Sequence, residues 1–258
     1  MARVSRRASF SERLRDRTSL TGIFQKFPHH QATEILAMSD LDFAVLDTEH
    51  APFDPSQVDA CMLAGMACDF PLLVRIARTD ADAVLSALDM GATGVFVPHV
   101  DTPAKAANAA RFARYTGGTR GFSPSTRAGG YGSRGLKPYM DAADRNVLVI
   151  AQIEDASALG WLPAIAATPG IDALFIGRAD LAASFGCDWN DPKLDEATAR
   201  IAQSAADAGI ACGAYLADPA QAARYRSMGI SFLLAGSDQG ALRQDANRLA
   251  AAMAPDEE

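Results

Sequence analysis

Short apolar runs alternate with alanine-rich amphipathic stretches along the whole chain. The apolar runs are rich in Val, Ile, Leu and Phe and are bounded by Gly, Pro or Asp, which is typical of buried strands. These predicted strands span 22–26, 43–48, 72–77, 94–100, 148–153, 173–177, 211–216 and 231–236. The predicted helices span 31–39, 56–66, 80–90, 103–114, 156–166, 192–208, 218–228 and 239–253.

This alternation predicts a parallel sheet whose strands are joined by crossover helices. Eight such units in 258 residues match the α/β class and, within it, the (β/α)8 TIM barrel, as a single domain. A doubly wound open sheet is the alternative. It would need a glycine-rich turn after the first strand, which this sequence lacks.

The first seventeen residues, MARVSRRASFSERLRDR, are rich in arginine. A transit peptide is one interpretation, but Glu12 and Asp16 interrupt the acid-free pattern that such peptides have. No apolar segment follows Arg6 and Arg7, which argues against a secretory signal. We therefore predict an N-terminal tail and short helix over 1–20 and a barrel domain over 21–258.

One predicted connection, 117–139, is unusually long and reads GGTRGFSPSTRAGGYGSRGLKPY. Connections of this length are usually functional or disordered. Its glycines match neither the P-loop nor the dinucleotide fingerprint, although a phosphate cradle stays open as an interpretation. We expect either a mobile lid that carries Arg120 and Arg127 over the active-site face or a solvated loop.

Composition narrows the class of protein. Hydrophobic residues make up 49% of the chain, and the mean hydropathy is +0.00, as in ordinary globular proteins. No stretch reaches the length of a membrane span, and a net charge of −7 without a basic patch argues against nucleic-acid binding. The four cysteines lack C-x-x-C spacing, so we expect buried, reduced thiols and a cytoplasmic protein.

Carboxylates follow several of the predicted strands. Glu154 ends the segment NVLVIAQIED, and Asp180 lies in DALFIGRADL one βα unit later. Because parallel barrels build their sites at the carboxyl ends of the strands, these two side chains are candidate ligands for a hard divalent cation. The alternative is that each is only a helix N-cap.

Further polar residues are predicted on the same rim. The segment FAVLDTEH brings Asp47, Glu49 and His50 to it, and a carboxylate beside a histidine can fix its tautomer for proton transfer. Arg75 follows an apolar run and needs an anionic partner if buried, so a structural ion pair with Asp47 or Glu49 is its alternative role. His99 is expected to play only a supporting part. The full predicted rim comprises Lys26, Asp47, Glu49, His50, Arg75, His99, Gln152, Glu154, Arg178, Asp180, Tyr215 and Asp238.

Several segments together resemble the HpcH/HpaI aldolase family, the metal-dependent pyruvate aldolases related to citrate lyase β and macrophomate synthase. They read FSERLRDRTSLTGIF, LDTEHAPFD, VRIARTD, GATGVFVPHVDT, RGFSPSTRA, QIED and FIGRADLAASFG. The resemblance covers nearly the whole chain. It implies a (β/α)8 barrel whose C-terminal helix is exchanged between subunits, in a homo-oligomer that is most often a hexamer.

The resemblance also implies a reaction. A 4-hydroxy-2-oxo acid would be cleaved to pyruvate, or a related 2-oxo acid, and an aldehyde through an enolate, or formed from them. By this resemblance His50 is the catalytic base, Asp47 the carboxylate that orients it, and Arg75 the arginine that binds the keto oxygen and stabilises the enolate.

The binding residues follow from the same resemblance. Glu154 and Asp180 match the ligands of a divalent cation, which would be Mg²⁺, Mn²⁺ or Co²⁺, and Gln152 matches a glutamine that supports them. The backbone at Arg178 and Ala179 matches the helix start that receives the substrate carboxylate. Three positions depart from the pattern, since many members have Pro at position 178, Met at position 99 and a Trp near Lys26.

Other functions stay open at this point. A Schiff-base aldolase needs a lysine inside the barrel, and only Lys26 lies near a strand end. Oxaloacetate decarboxylation would use the same enolate, and a CoA-thioester lyase is a further alternative. A non-catalytic protein that binds 2-oxo acids is the alternative from another class, but it would not need a base.

Overall fold

The computed structural model describes residues 5–254 and shows a closed barrel of eight parallel strands. The strands pair in sequence order, and the first pairs with the last, which confirms the predicted TIM barrel. They are β1 Leu20–Gln25, β2 Phe43–Asp47, β3 Leu72–Arg75, β4 Gly94–Val97, β5 Leu148–Ile153, β6 Ala173–Ile176, β7 Ala211–Leu216 and β8 Phe232–Ser237.

Eleven α-helices lie within the described residues. They are α1 Arg6–Arg15, α2 His30–Ala37, α3 Pro55–Ala67, α4 Ala81–Asp89, α5 Pro103–Phe112, α6 Leu136–Asn146, α7 Leu162–Ala166, α8 Arg178–Phe185, α9 Pro192–Asp207, α10 Ala222–Ser227 and α11 Asp238–Ala252. Short 3₁₀ turns at Ala156–Gly160 and Pro219–Gln221 precede α7 and α10. Within residues 5–254 no helix is both long and apolar enough to cross a bilayer.

Two helices were missed by the sequence patterns. The first, α6, lies partly inside the predicted 117–139 connection, and the second, α8, follows β6 directly. Both begin after a glycine, Gly135 or Gly177, and neither has a side-chain cap. Without a capping residue the sequence carries no start signal for either helix.

The core has two layers. Side chains that point into the barrel include Phe43, Phe96, Phe175 and Phe232, whose rings contact one another in edge and stacked arrangements. Strand side chains that point outward pack against the helices in a second, larger cluster. Burying both faces of every strand explains why the strands are apolar without alternation.

The helix α1 closes the amino-terminal end of the barrel. Its Phe10 and Leu14 are fully buried and belong to the same cluster as the inward-facing strand residues. In the described part of the N-terminal segment, 5–20, a few side chains therefore pack into the barrel core while residues 16–19 are exposed, and residues 1–4 lie outside the described part. A helix in this place covers apolar side chains that would otherwise face water.

The long connection does not form a lid, so that interpretation is wrong, and the alternative of a loop describes residues 113–135. It joins the end of α5 to α6 and thus lies at the amino-terminal end of the barrel, away from the carboxyl ends of the strands. Arg120 is buried and pairs with Asp89 at 2.8 Å, and Arg127 pairs with Asp59 at 2.6 Å. The chain leaves α5 at this face and enters β5 from the same face after α6, which the composition of the connection does not reveal.

Candidate active site and metal group

A cavity of about 370 Å³ opens at the carboxyl ends of the strands, where sites form in such barrels. Six of the predicted site residues line it together, and the aromatic rings of Phe24, Phe175, Trp189 and Tyr215 form its apolar part. The six are His50, Arg75, Gln152, Arg178, Ala179 and Asp180. Lys26, which was also predicted at the carboxyl ends of the strands, lines the cavity as well.

A buried ion pair lies under this cavity. Arg75 donates from Nε and Nη2 to the two carboxylate oxygens of Asp47, at 2.9 and 2.6 Å. Its guanidinium also lies 4.5 Å from the centre of the Phe24 ring, and Lys26 Nζ is 3.2 Å from Asp47. Burial alone would raise the pKa of Asp47, but the hydrogen bonds and charge of Arg75 lower it. The guanidinium is thus fixed in orientation by a two-point contact.

Asp47 does not orient the ring of His50, which corrects the prediction from the family resemblance. Its Oδ1 accepts a hydrogen bond from the backbone N–H of His50 at 3.1 Å, while its carboxylate is occupied by Arg75. The carboxylate nearest to the imidazole is that of Glu49, 3.7 Å from Nε2. The His50 side chain is about half exposed, so it can exchange a proton with solvent or substrate.

Glu154 is the centre of a second group. It is almost fully buried, its Oε1 accepts a hydrogen bond from the backbone N–H of His99 at 2.7 Å, and its Oε2 accepts one from the Gln152 amide. Ligand atoms of Glu49, His99 and Glu154 all lie within 4.8 Å of one another. The predicted partner of Glu154, Asp180, is not part of this group of three, although it lines the adjoining cavity.

Protonation in this group is shifted by burial and by crowding of negative charge. Burial raises the pKa of Glu154 to about 7, and the nearby carboxylates of Asp180 and Glu49 add to the shift against the opposing effect of His99. Burial also raises the pKa of Glu49. The pKa of His99 is raised in spite of burial, because Asp155 accepts a hydrogen bond from its ring and Glu154 lies close by.

These residues fit a divalent cation. Among the described residues, Gln152 Oε1 is buried and has no hydrogen-bond partner, which is costly unless another group contacts it. Glu49 Oε2 also forms no hydrogen bond, although Arg75 Nε lies 3.4 Å from it. Carboxylate oxygens and an imidazole nitrogen are donors that Mg²⁺, Mn²⁺ and Co²⁺ accept. A cation here would also relieve the repulsion that raises the pKa of Glu154.

The start of α8 forms one wall of the cavity. Arg178, Ala179 and Asp180 are its first three residues, and their backbone N–H groups have no partner within the helix because the i−4 ladder begins at Leu181. Such a helix start attracts a carboxylate. The Arg178 side chain turns away to Asp195, at 2.8 Å, so only its backbone is free to receive a ligand.

Gly177, directly after β6, allows the backbone to pass close to the side chain of Glu154. A Cβ atom built at this position would lie 2.6 Å from the Cβ of Glu154 and 2.9 Å from its Oε2. Contacts this short require the carboxylate to move. The glycine in the segment FIGRADL therefore keeps space for Glu154 rather than only ending a strand.

Sequence patterns undervalued His99. It has a backbone φ of 52°, in the left-handed region that histidine rarely adopts and that costs about 1–3 kcal/mol. This conformation allows its N–H to donate to Glu154 and its ring to lie 3.0 Å from Asp155. The predicted topology could have indicated that His99 lies near Glu154, because the neighbouring strands β4 and β5 bring residues 99 and 154 to the same end of the barrel.

Comparison with known proteins identifies the family of the chain. The family model described as HpcH/HpaI aldolase/citrate lyase matches residues 20–244. The chain belongs to the HpcH/HpaI aldolase/citrate lyase family.

Individual relatives of this HpcH/HpaI protein are similar along most of their length. It is 36% identical over 235 residues to a hydroxypyruvate/pyruvate aldolase of Paraburkholderia phytofirmans, with 88% of this chain and 90% of the relative covered. A 5-keto-4-deoxy-D-glucarate aldolase of Salmonella paratyphi A is 34% identical, with 84% and 86% covered. The crystal structure of a family protein from Burkholderia cenocepacia is 34% identical, with 96% and 100% of the chains covered and a TM-score of 0.90.

Family membership confirms two of the predictions from sequence. The resemblance to the HpcH/HpaI family is confirmed, and so is the assignment as an aldolase, which is a carbon–carbon lyase. The family and its relatives support a metal-dependent class II aldolase, and the carboxylate and histidine group offers a place for the metal.

Proposed function

We propose that this HpcH/HpaI protein cleaves a 4-hydroxy-2-oxo acid to pyruvate, or a related 2-oxo acid, and an aldehyde, and catalyses the reverse addition. The observation that carries this proposal is one cavity lined by His50 and by Arg75, which is fixed by Asp47, beside the Glu49, His99 and Glu154 group. Two relatives named as aldolases, one of them for hydroxypyruvate and pyruvate, support the choice of substrate class.

The cofactor in this proposal is Mg²⁺, Mn²⁺ or Co²⁺. Glu154 and Asp180 would hold it, with Glu49 and His99 as further donors, and Gln152 would fix the orientation of Glu154. When bound, the cation acts as a Lewis acid and lowers the cost of forming the enolate.

Arg75 acts on the keto oxygen of the substrate. Its Nε and Nη2 are bonded to Asp47, and among the described residues Nη1 has no hydrogen-bond partner. Because the guanidinium is held in place before the substrate binds, it can stabilise negative charge on the enolate oxygen without reorganising. The free N–H groups at Arg178 and Ala179 would receive the carboxylate of the 2-oxo acid.

His50 moves the proton of the 4-hydroxyl group. In the direction of cleavage its imidazole accepts this proton, directly or through a water, as the bond between C3 and C4 breaks. The aldehyde then leaves and the enolate is protonated to give pyruvate. The imidazole faces the cavity and lies 3.7 Å from Glu49, which can stabilise the imidazolium that forms.

An activity screen tests this function. Purified protein is incubated with pyruvate or hydroxypyruvate and a panel of aldehydes, with and without Mg²⁺ or Mn²⁺, and carbon–carbon bond formation is followed. Product with at least one pair, dependent on the cation, is the expected result. Tight binding of 2-oxo acids without any turnover would instead point to the non-catalytic alternative.

Replacing Arg75 should impair every reaction that passes through the enolate. We expect Arg75→Ala to reduce both aldol cleavage and oxaloacetate decarboxylation roughly a hundredfold or more, the effect of losing an oxyanion-hole donor. Because the substitution also leaves Asp47 buried without its main partner, Arg75→Lys serves as the matched variant that keeps a positive charge. Steady-state kinetics and thermal unfolding would be measured for both, and a folded Arg75→Ala with unchanged decarboxylation would contradict this role.

Metal affinity should fall as the pH falls below 7. With a pKa of about 7, Glu154 carries a proton below that pH, and a cation must displace it. Protonation of His99, whose pKa is also raised, acts in the same direction. Calorimetric titration with Mn²⁺ should show affinity nearly constant above pH 7.5 and at least about tenfold weaker per pH unit below 7. Glu154→Gln, which cannot titrate, should bind weakly with a shallower pH dependence, whereas a flat profile for the unaltered protein would contradict the assignment.

We also propose a homo-oligomer, most simply a hexamer, in which α11 packs on a neighbouring subunit. From residue 241 to residue 254 every residue of this segment is exposed, including Leu242, Leu249 and Met253. An amphipathic helix that does not bury its apolar side chains on its own barrel needs another surface. Light scattering should therefore give a mass several times that of the chain, and a monomer at micromolar concentration would contradict this.

A further inference from the structure

A second cavity, of about 230 Å³, lies at the opposite end of the barrel from the candidate active site. It is bounded by α1, by the residues directly before β4 and β5, by α6 and by the connection 113–135, and we call it the basal cavity. Its polar lining consists mainly of Arg7, Thr93, Arg120, Arg127, Arg134 and Tyr139. Among the described residues no aspartate or glutamate lines it.

The basal cavity carries excess positive charge. Arg120 and Arg127 each form one ion pair behind the lining, with Asp89 and Asp59. Within residues 5–254, the side chains of Arg7 and Arg134 form no ion pair, although Arg7 Nη2 donates to the carbonyl oxygen of Gly91 at 2.9 Å and Asp69 accepts a hydrogen bond from the backbone N–H of Arg7. Four guanidinium groups around one small space, two of them without a paired carboxylate, favour an anion.

Buried donors in the same lining lack partners. Among the described residues, Arg7 Nε, Arg120 Nε and Thr93 Oγ1 are all buried and form no hydrogen bond. The Arg120 side chain is only 1% exposed, and its guanidinium already contacts Asp89 at 2.8 Å and the Tyr115 ring at 4.5 Å. Buried N–H and O–H groups are normally satisfied, and these three donors belong to side chains that line one cavity, so a ligand with several acceptor atoms could satisfy them after small side-chain movements.

We propose that the basal cavity binds a phosphate group, as inorganic phosphate or at the end of a short phosphate ester. Guanidinium groups match tetrahedral oxyanions through paired, charge-assisted hydrogen bonds, and phosphate offers more acceptor oxygens than a single carboxylate. With a share of about 30 Å³ for each water molecule, the cavity has space for roughly seven, which exceeds one phosphate and leaves room for a short carbon chain. Three of the arginines, Arg120, Arg127 and Arg134, come from the glycine- and arginine-rich connection.

Phosphate binding would be measured by calorimetry and by thermal unfolding at constant ionic strength. Inorganic phosphate and glycerol 3-phosphate are the two probes, and a higher affinity for the second would identify an ester as the better ligand. Arg134→Gln removes a charge from an exposed residue and should fold normally, while Arg7→Gln removes an inner donor. We expect both variants to bind phosphate at least tenfold more weakly, and Arg200→Gln, an exposed arginine on α9, to bind as the unaltered protein does.

Two results would overturn the proposal. Absence of heat and of any thermal shift at millimolar phosphate would mean that the cavity holds only water. Equal phosphate affinity in Arg134→Gln and the unaltered protein, with competition against pyruvate, would place the anion in the candidate active site. Aldol activity of Arg134→Gln in phosphate-free buffer is measured in parallel, so failure of the basal site is distinguished from failure of the proposed function.

Discussion

Excess EDTA is expected to abolish aldol cleavage by the purified protein, and Mg²⁺, Mn²⁺ or Co²⁺ is expected to restore it. Few other groups in the cavity could stabilise the enolate in place of the cation. Arg75 is one positively charged side chain, and the lysine at the rim, Lys26, is ion-paired with Asp47 at 3.2 Å. Without a Lewis acid the enolate would have to form against a barrier higher by several kcal/mol. Release of pyruvate by the protein before and after chelation is the measurement.

The result that would contradict a metal-dependent mechanism involves Lys26. Full activity in excess EDTA, together with borohydride trapping of pyruvate on Lys26, would show a Schiff-base mechanism instead.

The variant His99→Met tests whether His99 is a ligand of the cation. If His99 contributes a nitrogen donor, this change should weaken Co²⁺ binding more than Mg²⁺ binding, because imidazole nitrogen suits Co²⁺ better than Mg²⁺. The absorption spectrum of bound Co²⁺ would show the loss of this donor independently of activity.

His50→Ala is expected to reduce aldol cleavage by about a hundred- to ten-thousandfold, the usual contribution of a general base. Oxaloacetate decarboxylation should be much less affected, since this substrate has no 4-hydroxyl proton for the imidazole to accept. The half-exposed position of His50 makes a large loss of stability from the substitution unexpected. Kinetics of both reactions on the same preparation measure the difference directly.

His30 provides the control for this prediction. It is an exposed histidine at the start of α2 that does not line the cavity, so His30→Ala should leave both reactions near their original rates. Equal losses in cleavage and decarboxylation for His50→Ala would mean that the histidine serves the enolate or the cation. In that case the proton of the 4-hydroxyl would need another acceptor, for which Glu49 is the nearest carboxylate.

The barrel could be predicted because each strand is buried on both faces. All eight apolar runs became strands, and the closed order β1 to β8 is the arrangement that alternating βα units favour. The failures lie where local signals are weak. The helix α8 starts after Gly177 with no capping side chain, and the predicted helix 156–166 is a 3₁₀ turn followed by the short α7.

The ion pair of Arg75 is a contact in the site that the sequence could suggest in advance. The sequence offered an ion pair with Asp47 or Glu49 only as the alternative role of Arg75. The structure pairs residues 47 and 75 in register and brings Arg75 within 2.6 Å of Asp47 and 3.4 Å of Glu49. The expectation for the cysteines was only partly right. Cys61 and Cys212 are buried, but Cys68 is exposed and Cys187 is half-buried.

The sequence by itself determined the barrel, its family and the set of polar residues at the carboxyl ends of the strands, because these depend on periodicity and on motifs within single segments. Only the tertiary structure decided which of these residues touch. It assigned Asp47 to Arg75 rather than to the ring of His50, brought Glu49 and His99 to Glu154, and moved the arginine-rich connection to the opposite end of the barrel. The physical reason is that distances between side chains on different strands depend on rotamers, barrel closure and compensation of buried charge, none of which a single segment encodes.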